Sequence, residues 1–176
     1  TRSIVRKAQE TSAAQVPWLF QGSDLPADKA WHFGVLPNGL RYALRQNKYP
    51  ANSLAIRLRI DAGALMERDD EKGYAHFIEH MTFRGTKNVA DGEGVRIWQR
   101  LGARFGTDTN AFTGLTQTLY QLDLPKNDAA SLDTALNTLS EMVSSANFDP
   151  KLVDIERSVV TAERELRQTP LTKRIQ

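Results

Sequence analysis

Apolar and polar side chains alternate with a period of two in the first third of the chain, which is typical of strands with one buried face. The clearest case runs from Ser53 to Ile60, where the even-numbered positions are apolar. Two more strands are predicted from Trp31 to Leu36 and from Leu40 to Gln46. Pro37-Asn38-Gly39 separates them, and Asn-Gly between two apolar runs predicts a hairpin with a type I′ turn.

The spacing changes to the period of a helix further along the chain. Apolar residues recur every three or four positions from Leu132 to Val143, as expected of a helix with one buried face. A shorter helix is predicted from Gly94 to Leu101, with Gly102 ending it. Asp149-Pro150 favours the start of a last helix. The apolar positions of that helix share one face: Leu152, Ile155, Val159, Ala162 and Leu166.

The order of these elements predicts the fold class. A second pair of strands is predicted from Ala103 to Thr109 and from Thr118 to Leu124, so strands and helices alternate without a strict βαβ repeat. This order favours an α+β fold in which a mostly antiparallel mixed sheet packs with helices. Residues 1–30, which end in a stretch rich in Gly, Ser, Asp and Pro, are predicted to be an N-terminal extension and linker.

Composition excludes several classes of partner and cofactor. Of the 176 residues, 40% are hydrophobic and 25% charged, as in soluble globular domains. No basic run is interleaved with aromatic residues, so nucleic acid is not a predicted partner, and no stretch is long and apolar enough to span a membrane. Cysteine is absent, which excludes disulfides and thiolate metal ligands but leaves the compartment open.

Two of the three histidines lie in the stretch Gly73–Met81. On a helix, at about 100° per residue, His76, Glu79 and His80 share one side. The opposite side carries a stripe fit for burial, formed by Tyr74, Phe77, Ile78 and Met81. The order His-x-x-Glu-His is the inverzincin signature, in which two imidazoles bind zinc beside a carboxylate that can act as a base. The competing interpretation is that two histidines fill polar gaps in an ordinary helix.

A catalytic zinc site takes three protein ligands, and the motif supplies two. His32 lies in the first predicted strand and is more simply interpreted as a surface histidine. Glu156 and Glu163 are seven residues apart on the last helix, almost two turns, so they point the same way. Either could complete the site, but taken alone the two are more simply interpreted as a solvated face beside the arginines of that helix.

With these motifs the chain resembles the pitrilysin/insulinase-type zinc metallopeptidases, a family that includes mitochondrial processing peptidase and bacterial zinc proteases. The resemblance extends from about Val35 to Leu166. It rests on the ordered motifs Leu36-Pro37-Asn38-Gly39-Leu40, Gly73-x-Ala75-His76-Phe77-x-Glu79-His80-Met81-x-Phe83-x-Gly85-Thr86, Leu101-Gly102-Ala103, Asn110-Ala111-Phe112-Thr113, Thr118-x-Tyr120 and Glu156-Arg157-x-Val159-Val160-x-x-Glu163.

The resemblance implies a role for each candidate residue. One Zn²⁺ ion per domain would be held by His76, His80 and Glu163. Glu79 would be the general base, and Glu156 would orient a histidine ligand. A peptide substrate would bind as an added strand beside Asn110, Ala111, Phe112 and Thr113. The implied activity is that of a zinc metalloendopeptidase acting on peptides or unfolded segments.

The resemblance also implies that the enzyme has further domains. Residues 31–176 would be its N-terminal zinc-binding peptidase domain, cut short at its C-terminal end. The remaining domains of the parent chain, or a partner subunit, would complete it, so residues 1–176 alone are expected to be inactive. Bacterial family members favour the periplasm. The alternatives are a non-catalytic subunit of the same family and a binding module stabilised by a structural metal.

Overall fold

The computed structural model describes residues 17–18 and 20–167. They form two compact units that divide between Ala51 and Asn52, and each unit has its own antiparallel sheet. Within the described residues, no helix combines the length and the hydropathy that crossing a membrane requires.

The first unit is built on a hairpin of β1 (Trp31–Val35) and β2 (Arg41–Arg45). Aromatic side chains cover part of it. The rings of Trp18 and Phe20 each lie 4.8 Å from the ring of Phe33, measured between centroids, at tilted angles. These contacts join the preceding segment to the hairpin.

The turn of this hairpin is not the predicted type I′. The Gly39 N–H donates to the Leu36 carbonyl at 2.9 Å, which places Pro37 and Asn38 at the two central positions. Gly39 has a φ of +88°, whereas Asn38 is not among the residues with positive φ. Proline fixes φ near −65°, which a type I′ turn cannot accept. The result is a type I turn followed by a left-handed glycine.

The second unit contains a three-stranded antiparallel sheet in the order β3-β5-β4. Its strands are β3 (Leu54–Ile60), β4 (Thr109–Thr113) and β5 (Thr118–Leu124). The central strand β5 alternates buried with half-buried residues along its whole length, because one of its faces lies against the core. β4 is an edge strand, so the backbone along its outer side is open to pairing.

The predicted strand from Ala103 to Thr109 is wrong, since only Thr109 lies in a strand. The Arg104 backbone N–H donates to the Asp108 carboxylate at 2.9 Å, and the Asp108 N–H donates to the Arg104 carbonyl at 2.8 Å. These bonds close the segment into a turn, in which Gly106 has a φ of +83°. Local side-chain bonds of this kind compete with sheet formation.

Among the described residues, four α-helices belong to the second unit and lie close to their predicted positions: α1 (Tyr74–Thr82), α2 (Glu93–Arg100), α3 (Ala129–Ser144) and α4 (Pro150–Arg167). The core lies between the sheet and helices α2 and α3. Its buried members are Trp98, Ala103, Tyr120, Leu122, Leu124, Ala135, Leu139 and Met142. The prediction of an α+β fold with antiparallel sheets is confirmed.

The apolar stripes of α1 and α4 are only partly buried. In α1, Met81 is buried, whereas Tyr74 and Ile78 are exposed. In α4, the apolar line is turned outward, and Ile155 and Val159 are about half exposed. The side of α4 that carries the glutamates faces inward instead, against α1.

Glu67 caps the start of α1. The residue at the helix start, Gly73, has no side chain to accept a hydrogen bond. The Glu67 carboxylate instead accepts the backbone N–H of Gly73 at 2.8 Å and that of Ala75 at 2.7 Å. A carboxylate at this end of a helix also interacts favourably with the helix dipole.

We therefore expect Glu67→Ala to lower the free energy of unfolding by about 1–2 kcal/mol, the cost of losing a helix cap. Urea denaturation of residues 1–176 measures it. Asp69→Ala is the matched control, because Asp69 is exposed and, among the described residues, pairs only with Lys72 at 3.1 Å; such surface pairs contribute at most about 1 kcal/mol. Equal destabilisation by both substitutions would contradict the capping role.

Candidate active site

The two histidines of α1 converge because they lie one helical turn apart. Their Nε2 atoms are 3.2 Å from each other. Glu163 approaches both from α4, with its Oε2 atom 3.4 Å from Nε2 of His76 and 3.3 Å from Nε2 of His80. The three atoms thus form a nearly equilateral triangle.

The size of this triangle matches the coordination of zinc. Tetrahedral ligands at about 2.0–2.1 Å from zinc lie about 3.3 Å from one another, and the observed separations are 3.2, 3.4 and 3.3 Å. Two imidazole nitrogens and a carboxylate oxygen are also a ligand set that zinc accepts. Within the described part of the chain, His76, His80 and Glu163 form a group that could hold a metal ion. A fourth position remains for water or substrate.

Glu156 holds the other side of the His80 ring. Its Oε1 atom lies 2.7 Å from Nδ1 of His80, and the residue is only 6% exposed. A proton on Nδ1, directed at this carboxylate, leaves the Nε2 lone pair facing His76 and Glu163. The second oxygen of Glu156 forms an ion pair with Nε of Arg84 at 2.9 Å. Arg84 thereby compensates the charge of a carboxylate that would be costly to bury alone.

Glu79 is also buried, at 7% exposure. Its Oε2 atom accepts a hydrogen bond of 2.5 Å from the Thr113 hydroxyl. Nearby, burial raises the pKa of Tyr120; a hydrogen bond to Thr82 opposes this rise, and the charge of Glu79 adds to it. Tyr120 therefore stays neutral at physiological pH.

An open cleft of about 880 Å³ lies over these residues. Helices α1, α2 and α4 and the edge strand β4 form its walls. Asn110, Ala111 and Phe112 line it, as do both histidines of α1 and Glu79, Glu156 and Glu163. Thr113 is not among the lining residues. The structure thus brings together the predicted metal ligands, the predicted base and most of the predicted substrate segment.

Three features of the site were not recognised in the sequence. Arg84 was missed, although it lies four residues after His80 and so on the same face of the helix or its extension. The hydrogen bond from Thr113 to Glu79 joins a strand to a helix, which spacing cannot indicate. The cap by Glu67 depends on a loop conformation. His32 lies on β1 of the first unit and is not part of the candidate metal group.

The His-x-x-Glu-His motif is the signature of metallopeptidases with the inverted motif, and in this structure its helix packs against the glutamate-bearing α4 beneath an open cleft. Residues 42–175 match the family model described as "Insulinase (Peptidase family M16)". The chain therefore belongs to the insulinase family of peptidases, as its motifs predicted.

Similar proteins agree with this assignment. The probable zinc protease PqqL of Haemophilus influenzae is 38% identical over 161 residues, which are 92% of this chain and 17% of that protein. The crystal structure of the periplasmic protease PqqL from Escherichia coli matches with a TM-score of 0.79 and 37% identity, over 85% of this chain and 16% of that one.

A crystal structure of the first half of the same Escherichia coli protease matches with a TM-score of 0.79 and 37% identity, over 84% of this chain and 32% of that one. This chain spans about a sixth of the length of the Haemophilus influenzae and full-length Escherichia coli proteins. Those relatives therefore contain further domains beside the part that this chain resembles.

The contact between Glu156 and His80 leads to a prediction about metal affinity. Glu156→Gln removes the charge that holds the His80 ring, and losing such a partner lowers zinc affinity by about 10–100-fold. Competition with a chelator measures this on residues 1–176. Asp154→Asn is the matched control, because Asp154 is an exposed acid of the same helix, bonded to Arg157. Unchanged zinc affinity in Glu156→Gln would contradict the proposed orientation of His80.

Proposed function

We propose that this chain is the zinc-binding part of a metalloendopeptidase that hydrolyses peptide bonds in peptides or unfolded segments. The observation that carries the proposal is the triangle of His76, His80 and Glu163, whose edges fit one zinc ion, next to the buried carboxylate of Glu79. Membership of a peptidase family supports it, as does the naming of a similar protein as a probable zinc protease.

Each group has a defined task in this proposal. His76, His80 and Glu163 would hold the zinc ion, which would supply Lewis-acid chemistry for activating water and polarising the scissile carbonyl. Glu79 accepts the proton of the attacking water on its carboxylate and gives it to the leaving amine. Glu156 keeps the His80 ring in the orientation and tautomer that a metal ligand needs.

The position of β4 supports the predicted mode of substrate binding. β4 is the edge of its sheet, and Asn110, Ala111 and Phe112 on it line the cleft above Glu79. A peptide added beside this edge would be held through its own backbone, so only an extended segment could bind. This favours peptides and unfolded segments over folded proteins as substrates.

The two alternative functions fit the site less well. A non-catalytic subunit would have no use for a base beside the metal ligands, yet Glu79 is present and lines the cleft. A structural zinc site is closed by four protein ligands, whereas the candidate group has three within the described residues. The open cleft over that group also favours a site that admits a substrate.

We further propose that the whole enzyme needs more than this chain. Because the chain spans about a sixth of its relatives' length, the remaining domains, or a partner subunit, would enclose the cleft and hold the substrate. The Escherichia coli relative is described as periplasmic, and we propose the same compartment for this protein.

The roles of base and ligand can be separated by mutation. In the whole protein, we expect Glu79→Gln to retain one zinc ion and to lower peptide hydrolysis by at least about 10²-fold, the usual scale of general-base catalysis. Zinc content by mass spectrometry and cleavage of an unstructured peptide measure the two properties. His80→Ala is the comparison variant and should lose stoichiometric zinc. If Glu79→Gln also loses its zinc, Glu79 is a ligand and the mechanism is misassigned.

Residues 1–176 alone are expected to bind zinc but to hydrolyse an unstructured peptide negligibly. Positioning of the substrate can supply roughly 7–11 kcal/mol of a reaction barrier, and the proposal assigns part of that positioning to other domains. The experiment assays the zinc-loaded chain alone and again with the rest of the protein added in trans. Robust zinc-dependent cleavage by the chain alone would show that this part is sufficient for catalysis.

A further inference from the structure

The hydroxyl that holds Glu79 belongs to a short chain of hydrogen bonds. Thr113 and Thr118 are register partners where β4 joins β5, and their Oγ1 atoms are 3.5 Å apart. Thr118 is buried and donates its hydroxyl proton to the Ala62 carbonyl at 2.9 Å. The Thr113 proton is directed at Oε2 of Glu79 at 2.5 Å. A hydroxyl has a single proton to donate, so neither threonine can donate to a further acceptor.

This arrangement gives the two oxygens of Glu79 different environments. Oε2 accepts the Thr113 hydrogen bond, and among the described residues no hydrogen bond is directed at Oε1. Glu79 itself lines the cleft. The terminal torsion of a glutamate side chain is broad, so a hydrogen bond to one oxygen narrows the orientations of the carboxylate. The Thr113 bond therefore leaves one defined oxygen, Oε1, to meet the attacking water.

The same contact makes Thr113 unsuitable as a donor to substrate. Its proton is engaged by Glu79, and the residue is not among those that line the cleft, unlike Asn110, Ala111 and Phe112. We propose that Thr113 is a positioning residue, whose hydroxyl orients the Glu79 carboxylate for proton transfer, rather than a substrate contact. This inference rests on the proposed peptidase function and assigns a role within it.

The experiment compares two substitutions in the whole, zinc-loaded protein. Thr113→Val keeps the shape of the side chain and removes the hydroxyl, whereas Thr113→Ser keeps the hydroxyl. We expect Thr113→Val to lower kcat by about 10–100-fold, as small misplacements of catalytic groups do, with KM and zinc content unchanged. Thr113→Ser should retain most of the wild-type kcat.

The matched control is Thr134→Val, because the Thr134 hydroxyl is exposed on α3 and donates to the Ala130 carbonyl of its own helix. This control should keep both kcat and KM. A rise in KM at constant kcat in Thr113→Val would instead identify Thr113 as a substrate contact. A Thr113→Ser variant as impaired as Thr113→Val would also overturn the proposal, because the hydroxyl would then be irrelevant.

A second measurement does not depend on activity. Crystal structures of the zinc-loaded wild type and Thr113→Val should differ in the orientation of the Glu79 carboxylate, and an unchanged carboxylate overturns the inference. If Thr113→Val does not fold, Thr113→Ala gives the same comparison. If the wild type binds zinc but cleaves no peptide, the proposed function fails, and the position of the Glu79 carboxylate still decides this inference separately.

Discussion

The contact between the buried Glu156 carboxylate and Nδ1 of His80 fixes α4 against α1. A carboxylate removed from water needs opposite charge or donated hydrogen bonds, because its burial otherwise costs several kcal/mol. On the side of α1, His80 supplies the hydrogen bond and Arg84 supplies the opposite charge. With this contact in place, Glu163, almost two turns further along α4, lies opposite the imidazoles of His76 and His80. The metal triangle thus depends on a contact that does not itself touch the metal position.

The exposed apolar line of α4 is a consequence of the same constraint. A helix has one inward face, and on α4 that face carries Glu156 and Glu163 rather than Ile155 and Val159. Burial of apolar surface alone would have favoured the opposite rotation, at about 25 cal/mol for each Å² removed from water. Contacts between α1 and α4 therefore decide the rotation of α4 within the described residues.

The parts of the site that depend on helix geometry were predictable from the sequence. The spacing of His76, Glu79 and His80 places them on one side of any α-helix, and the seven-residue spacing of Glu156 and Glu163 aligns those two. The separate roles of Glu156 and Glu163 were not predictable from spacing, because those roles depend on how α4 rotates and slides against α1. That choice came from the family resemblance; in the structure Glu156 lies 2.7 Å from Nδ1 of His80, and Glu163 lies 3.3 Å from its Nε2.

Errors in the fold predictions arose where local bonds outweigh periodicity. The sequence analysis predicted a strand from Ala103 to Thr109, but the bonds between Arg104 and Asp108 close that segment into a turn. This turn delays the strand until Thr109, so that the edge strand β4 ends at Thr113, within reach of Glu79 on α1. The contact spans 34 residues and joins a strand to a helix, so no local pattern encodes it. The hydrogen bond that holds Glu79 thus depends on the point at which β4 begins.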